Sequence, residues 1–153
     1  MAGTCQVTAT PVPQEPNNPQ GGTMFADLFV LLYVAHLVAD YPGQTDHQAE
    51  HKAARGAAGW RANLAHAGTH LAVTAVVLVV VGVGVLGLDL SPVAAVLALL
   101  WISVTHAVID RRWAVRWWME NTGQTQFLAS GGAAHVDQTA HVVCLMVGAL
   151  ICA

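Results

Sequence analysis

The sequence has few charged side chains. Charged residues make up 10% of its 153 residues, whereas a water-soluble domain usually carries about a quarter. Hydrophobic residues reach 55%, and the mean hydropathy is +0.52. This shortage of charge indicates that lipid, rather than water, surrounds most of the chain.

Cysteine and basic residues are scarce as well. Three cysteines give an odd count without the spacing of a metal or redox motif, so we expect no disulfide framework. The six Lys and Arg residues form no stripe long enough to follow a phosphate backbone, and the net charge is only −3. We therefore expect no nucleic-acid partner.

Residues 1–23 lack any hydrophobic period and contain one charged residue, Glu15. Their Pro, Gln, Thr, Asn and Gly content predicts a disordered N-terminal tail. The basic start and apolar core of a signal peptide are also missing. Met24 directly precedes the first apolar segment, which raises the hypothesis that translation begins there; N-terminal mass spectrometry of the native protein tests it.

Four apolar segments follow, over residues 25–40, 64–88, 92–109 and 133–153. The second and third carry no charge and are long enough for a bilayer core of about 30 Å. The first and fourth are weaker and depend on pairing with the other two. Together they predict an all-α fold over residues 24–153, a four-helix transmembrane bundle.

The segments between these helices are more polar. Residues 43–63 predict a short amphipathic helix that lies on the membrane surface between spans one and two. The third helix is expected to continue along the interface through Trp118. The polar, Gly-rich residues 119–132 predict a loop.

The basic residues lie in only two of the connections, between spans one and two and between spans three and four. The positive-inside rule makes that side cytoplasmic, with both termini outside. We expect the location to be a bacterial cytoplasmic membrane. Four tryptophans at the same boundary have the pattern of interfacial anchors. The basic residues are Lys52, Arg55, Arg61, Arg111, Arg112 and Arg116, and the tryptophans are Trp60, Trp113, Trp117 and Trp118.

Each apolar segment also contains one pair of metal-competent side chains at positions i and i+4. Residues four apart share one face of a helix. The pairs lie at the end of spans one and three and at the start of spans two and four. Antiparallel helices would therefore bring all of them to one membrane level. The pairs are His36/Asp40, His66/His70, His106/Asp110 and Asp137/His141.

A metal is the interpretation that these pairs favour. An ionisable group inside a membrane costs about 2.5–3.5 kcal/mol by insertion scales, so such groups normally face partners or a functional cavity. Nitrogen and oxygen ligands without thiolate fit Zn, Fe or Mn, and the set is large enough for one or two ions. Two alternatives stay open: a metal-free hydrogen-bonded network that fixes helix register, and haem, which explains the histidines but not the aspartates.

Four more polar residues lie near these pairs in the sequence. Gln44 and Asp46 either cover the site or cap the surface helix. Lys52 either contacts an anionic substrate or lipid, or extends to the surface. Gln138 either supports a ligand or bridges helices. The remaining histidines are expected to be solvated or to cap helices; they are His47, His51 and His135.

Four segments resemble the motifs of domain-of-unknown-function family 3307 in order and spacing: HLVADYPGQTD (36–46), LAHAGTH (64–70), THAVID (105–110) and DQTAH (137–141). The resemblance covers about residues 24–152. It implies a small bacterial or phage membrane protein, and the family has no activity that could be transferred. The residues that match the family are the eight paired residues above, together with Gln44, Asp46, Lys52 and Gln138.

The leading interpretation is an integral membrane metalloprotein that acts as a hydrolase on a lipid-linked or amphipathic substrate. A transporter or sensor of metal ions or protons is the first alternative, because intramembrane ionisable groups also mark ion pathways. The second is a structural membrane module that binds a protein partner.

Overall fold

The computed structural model describes residues 20–153, and all the secondary structure in that part of the chain is helical. The all-α prediction is confirmed. The third helix, α3, continues directly into a π-helical segment. The helices are α1 (Gln20–Asp40), α2 (Asp46–His51), α3 (Gly56–Val77, then π-helical over Leu78–Val83), α4 (Pro92–Ile109), α5 (Trp113–Asn121), α6 (Thr125–Ala129) and α7 (Ala133–Cys152).

Helix α1 begins at Gln20, inside the tail predicted over residues 1–23. Residues 1–19 lie outside the described residues, so the disorder expected there stays a prediction. The start of translation at Met24 likewise stays a hypothesis.

The four long helices form a closed ring. Helix α1 contacts α3 and α7, and α4 contacts the same two helices from the opposite side. A hydrophobic core fills one half of this ring, and the polar pairs fill the other. The core residues are Leu28, Leu32, Leu78, Ala98, Ile102, Leu145, Ala149 and Cys152.

Close approach of α4 and α7 depends on Gly148. A Cβ atom at this position would lie 2.9 Å from Cδ1 of Ile102. Nearby, Trp101 Nε1 donates to the carbonyl oxygen of Cys144 at 2.9 Å. These contacts fix the register of α4 against α7, which places their polar pairs at the same end of the bundle.

Within residues 20–153, three helices are long and apolar enough to cross a membrane: Gly56–Val83, Pro92–Ile109 and Ala133–Cys152. Only 22–28% of their most apolar windows is buried inside the protein. Their outward faces are therefore apolar too, as the exposed Val79, Val96 and Leu100 illustrate. Helices that are hydrophobic on all sides are typical of a lipid environment.

The second span begins earlier and ends earlier than the predicted range of residues 64–88. Helix α3 starts at Gly56 and the helical conformation ends at Val83. The surface helix predicted within 43–63 is therefore only α2, which Thr45 and Gln48 start with a reciprocal capping box. The start of this helix was predicted too late because the residues before Leu64 are polar. One of them, Asn63, is nevertheless fully buried, and its side-chain amide donates to the carbonyl oxygen of Ala107 at 2.8 Å.

The third span does not continue without interruption through Trp118. The chain turns after Ile109, and Arg112 has a φ of 59° before α5 begins. The loop predicted over 119–132 is wrong in part, since α5 reaches Asn121 and α6 occupies Thr125–Ala129. Packing explains why this segment is helical. Val115 and Met119, on the inward face of α5, form a second hydrophobic cluster with residues of α6 and α7.

Candidate metal centre

The ring of helices brings the four polar pairs together. All five paired histidines and Asp110 are at most 3% exposed, and the Asp40 side chain is 8% exposed. Asp137 is the most accessible member, with its side chain 20% exposed. The pairs predicted from the spacing therefore meet in one layer of the bundle.

Asp40 is the centre of the first half of this layer. Its carboxylate oxygens lie 3.2 Å from Nε2 of His36, 3.1 Å from Nε2 of His66 and 3.1 Å from Nε2 of His70. One carboxylate thus faces imidazoles from α1 and α3.

Asp110 is the centre of the second half. Its Oδ2 atom lies 3.0 Å from Nε2 of His106 and 3.4 Å from Nε2 of His66, and its Oδ1 atom lies 3.8 Å from Nε2 of His141. His66 therefore contacts both carboxylates. Asp137 supports this half from α7, with Oδ2 at 3.5 Å from Nδ1 of His141.

Two imidazole nitrogens in this layer are buried without a hydrogen-bond partner: His106 Nε2 and His141 Nε2. The 3.0 Å approach of His106 to Asp110 does not have hydrogen-bond geometry. Buried polar atoms normally find a partner, because an unsatisfied one costs about 1–3 kcal/mol. The donor atoms of the cluster converge on space that a cation could fill.

In the described part of the chain, three groups of side chains could each hold an ion, with the ligand atoms of each group within 4.8 Å of one another. Two of these groups share no residue, so the layer has enough ligands for two ions at once. The groups are His36/Asp40/His70/His106, His66/His106/Asp110 and Asp110/Asp137/His141.

Lys52 lies beside the second half of the cluster. Its ammonium Nζ is 3.0 Å from Asp110 Oδ2, and both side chains are buried. Burial alone would raise the pKa of Asp110, but His106 and the Lys52 ammonium outweigh it and lower the pKa below its usual range. Arg111 secures the segment by donating from Nη1 to the carbonyl oxygen of Lys52 at 2.8 Å.

The two glutamines also reach the cluster, whereas Asp46 does not. Gln44 Nε2 lies 2.9 Å from Nε2 of His66. Gln138 lies between His36 and Asp40, at 3.4 Å from Nε2 of the first and 3.5 Å from Oδ2 of the second. Asp46 is the exposed first residue of α2.

The histidines outside the pairing pattern lie away from the cluster. His47 and His51 stack on each other, with ring centroids 4.4 Å apart, and His51 Nδ1 contacts the carbonyl oxygen of His47 at 2.9 Å. His135 is exposed on α7 and packs near Phe127.

A cleft of about 830 Å³ opens above the cluster, between α2, the α4–α5 turn and α6. We call it the α5 cleft. Its charged and polar lining includes Asp40, Lys52, Asp110 and Asp137 from the predicted set. Arg112 and Arg116 also line it, and the sequence pattern had suggested only an orienting role for them. Their spacing of four residues was the available signal.

The comparison with protein-family models decides the relationship that the motifs suggested. The model described as "Protein of unknown function (DUF3307)" matches residues 28–152. The chain belongs to this family. No curated protein and no solved structure matches the chain. All the paired residues lie inside the matched range, and the family description names no function.

Proposed function

We propose that this protein is a membrane metalloprotein with four spans, α1 being the fourth. Three spans are supported by length and hydropathy. Helix α1 has 21 residues, about 30 Å of helix, and completes the ring through Leu28 and Leu32. Its outer face exposes Val30, Val34 and Val38, which suit lipid contact.

The proposed centre holds one or two divalent ions, with Zn, Fe or Mn as the candidates. One observation carries this proposal: two buried carboxylates, each faced by three imidazole nitrogens, with two of those nitrogens lacking hydrogen-bond partners. Imidazole and carboxylate are the ligands that these metals take. Gln44 and Gln138 would orient ligands by their contacts with His66 and Asp40, as outer-shell partners do.

The proposed activity is hydrolysis of an ester or phosphoester in a lipid-linked or amphipathic substrate. A divalent ion lowers the pKa of a bound water and polarises a phosphoryl or acyl oxygen. The α5 cleft reaches Asp40, Asp110 and Asp137, so water and substrate have a route to the ligands from one side. Lys52 would keep Asp110 ionised.

Elemental analysis of the detergent-purified protein tests the metal. We expect near-stoichiometric Zn, Fe or Mn in the wild type and its loss in a His106→Ala/Asp110→Ala variant. The control is His47→Ala/His51→Ala, which removes two histidines outside the cluster and should keep the metal. A folded wild type that takes up none of the three metals would contradict the proposal.

Hydrolysis is tested separately with the metal-loaded protein and a broad panel of micellar esters and phosphoesters. Turnover that disappears with a chelator and in the His106→Ala/Asp110→Ala variant would support the enzyme. If the metal-loaded protein hydrolyses no member of the panel, the proposed hydrolase activity is rejected and only the proposed metal centre stands.

The proposed orientation places the cluster at the cytoplasmic face of a bacterial inner membrane, with both termini outside. The basic residues of α3 and of the α4–α5 turn, including Arg61 and Arg112, support this assignment through the positive-inside rule. A single cysteine introduced at exposed Glu50, in a variant without native cysteines, should be protected from an impermeant thiol reagent in spheroplasts. Labelling from outside would reverse the orientation.

A proton or metal-ion transporter is the second candidate, and a row of imidazoles favours it. Ring centroids of His36 and His70 lie 5.2 Å apart, those of His70 and His106 3.6 Å, and those of His106 and His141 4.5 Å. Against it, the hydrophobic core closes the other half of the bundle. Cluster-dependent ion uptake in proteoliposomes would favour transport over hydrolysis. A structural module would instead lose folding, but no ion, when the cluster is replaced by alanine.

A further inference from the structure

Two arginines on the wall of the α5 cleft have no role in the metal centre. Arg112 lies in a left-handed conformation just before α5, Arg116 lies in the first turn of α5, and both line the cleft. Both are exposed, and neither forms an ion pair within residues 20–153. Their guanidinium groups are therefore available to a ligand.

The neighbouring basic residue, Arg111, is used differently. Its guanidinium carbon lies 4.6 Å from the ring centroid of Trp60, and its Nη1 donates to the backbone of Lys52. Because Arg111 ties the turn to α2 and α3, the next residue is presented to the cleft. The arginines of the turn thus divide into one structural residue and two that face open space.

The charges at the cleft floor determine which ligand fits. Three carboxylates line the cleft, and the lysine beside them is paired with Asp110. Metal ions at the proposed centre would compensate these carboxylates, leaving the positive charge of the two arginines. Guanidinium groups bind phosphate oxygens in a planar, bidentate geometry.

The position of α5 indicates where such a ligand comes from. Its outer face exposes Trp113, Trp117 and Trp118 by 62%, 60% and 53%. Tryptophans with this exposure lie at the headgroup level of a membrane. Apolar Val115 and Leu128 also line the cleft, which suits an occupant with a hydrocarbon part.

We propose that the α5 cleft binds the phosphate-bearing headgroup of a membrane amphiphile, with Arg112 and Arg116 as the residues that hold the phosphate. This inference rests on the proposed function and specifies its substrate class. The phosphate enters at the headgroup level, contacts both guanidinium groups and is held above the metal ligands.

Dodecylphosphonate is a suitable probe, because it has a negatively charged headgroup and an alkyl tail but resists hydrolysis. Binding to the full-length, metal-loaded protein in neutral detergent can be followed by calorimetry. Methylphosphonate measures the binding of the headgroup alone, and dodecanol measures the binding of the alkyl tail alone. The variant is Arg112→Gln/Arg116→Gln, and the matched control is Arg55→Gln/Arg61→Gln, which removes the same charge from exposed positions outside the cleft lining.

We expect the cleft variant to bind dodecylphosphonate roughly tenfold more weakly or worse, the loss typical of charge-assisted hydrogen bonds. The control variant should bind like the wild type, and both single-component probes should bind more weakly than dodecylphosphonate. Equal weakening in both variants, or none in the cleft variant, would overturn the proposal. So would methylphosphonate or dodecanol binding as tightly as the full probe.

Elemental analysis of the same samples separates this inference from the proposed function. The cleft variant should keep its metal, since neither arginine is a candidate ligand. A wild type that lacks metal but shows arginine-dependent phosphonate binding would reject the metal centre and keep the headgroup site. A metal-loaded wild type without phosphonate binding would do the reverse.

Discussion

His70 on α3 and His106 on α4 face each other with ring centroids only 3.6 Å apart. Two imidazolium cations at that distance would repel strongly in a buried site. Neutral imidazole is the form that binds a metal. The contact also belongs to one candidate ligand group, in which both residues join His36 and Asp40.

His106 should be the histidine whose loss lowers metal binding most, because it belongs to two of the three candidate ligand groups. Its Nε2 atom lies 3.0 Å from Asp110 Oδ2, and its ring centroid lies 3.6 Å from that of His70. We expect His106→Ala to lower metal content more than His141→Ala, which removes a residue of one group. Elemental analysis of both variants, beside His135→Ala as an exposed control, checks this order. Equal losses in the first two variants would argue against a shared ligand.

Removing a metal ion from the proposed centre should destabilise the protein. A ligand that binds only the folded state increases the free energy of unfolding, and the increase grows with the logarithm of the ligand concentration divided by its Kd. A chelator should therefore lower the thermal unfolding midpoint of the wild type in detergent, and added metal should restore it. His106→Ala/Asp110→Ala should show no response to the chelator. A wild type that is equally insensitive would contradict metal-linked folding.

Lys52→Met should weaken the fold through Asp110. The two side chains form a buried pair at 3.0 Å, and removal of one partner of such a pair costs about 3–5 kcal/mol. We expect a lower unfolding midpoint, most clearly in metal-free protein, where no cation compensates the carboxylate. Arg55→Met, at an exposed position, is the control. An unchanged midpoint in metal-free Lys52→Met would show that Asp110 is compensated by other groups.

Gly148→Ala should strain the α4–α7 contact. The new Cβ would lie 2.9 Å from Cδ1 of Ile102, and overpacking of this kind costs about 1–3 kcal/mol. Because Ile102→Val deletes that Cδ1 atom, Gly148→Ala should cost less in the Ile102→Val background. Thermal unfolding of the four proteins measures the coupling.

Gly68→Ala is the control for that cycle, because a Cβ at Gly68 would lie within 4 Å of no atom beyond its chain neighbours and the nearby backbone of α3. Alanine favours helix over glycine by roughly 0.5–1 kcal/mol, so this variant should be as stable as the wild type or more stable. Purely additive effects of Gly148→Ala and Ile102→Val would contradict the close contact.

Helix geometry made much of the site predictable. The i, i+4 spacing places His36 with Asp40 and His106 with Asp110 on one helix face, whatever the helices pack against. The positions of the pairs at alternate ends of the apolar segments then implied a common depth. Both inferences need only the period of the helix and an antiparallel order.

The helix boundaries were harder to predict. Asn63 is polar, yet it lies inside α3 because a carbonyl of α4 accepts its amide hydrogen. The break after Ile109 was also missed, since no glycine or proline marks it in the sequence and the turn depends on the packing of Val115 and Met119.

The sequence by itself determined an all-helical chain, its membership of the family, apolar segments for lipid and four pairs of metal-competent side chains. Those properties follow from composition and from the local period of one helix. Only the tertiary structure decided that the histidines surround two carboxylates, Asp40 and Asp110, and that His66 contacts both. It also decided that Arg112 and Arg116 line the α5 cleft, whereas Asp46 does not reach the site. The rotation and register of each helix against its neighbours fix those relationships, and they arise from side-chain packing between residues far apart in the chain.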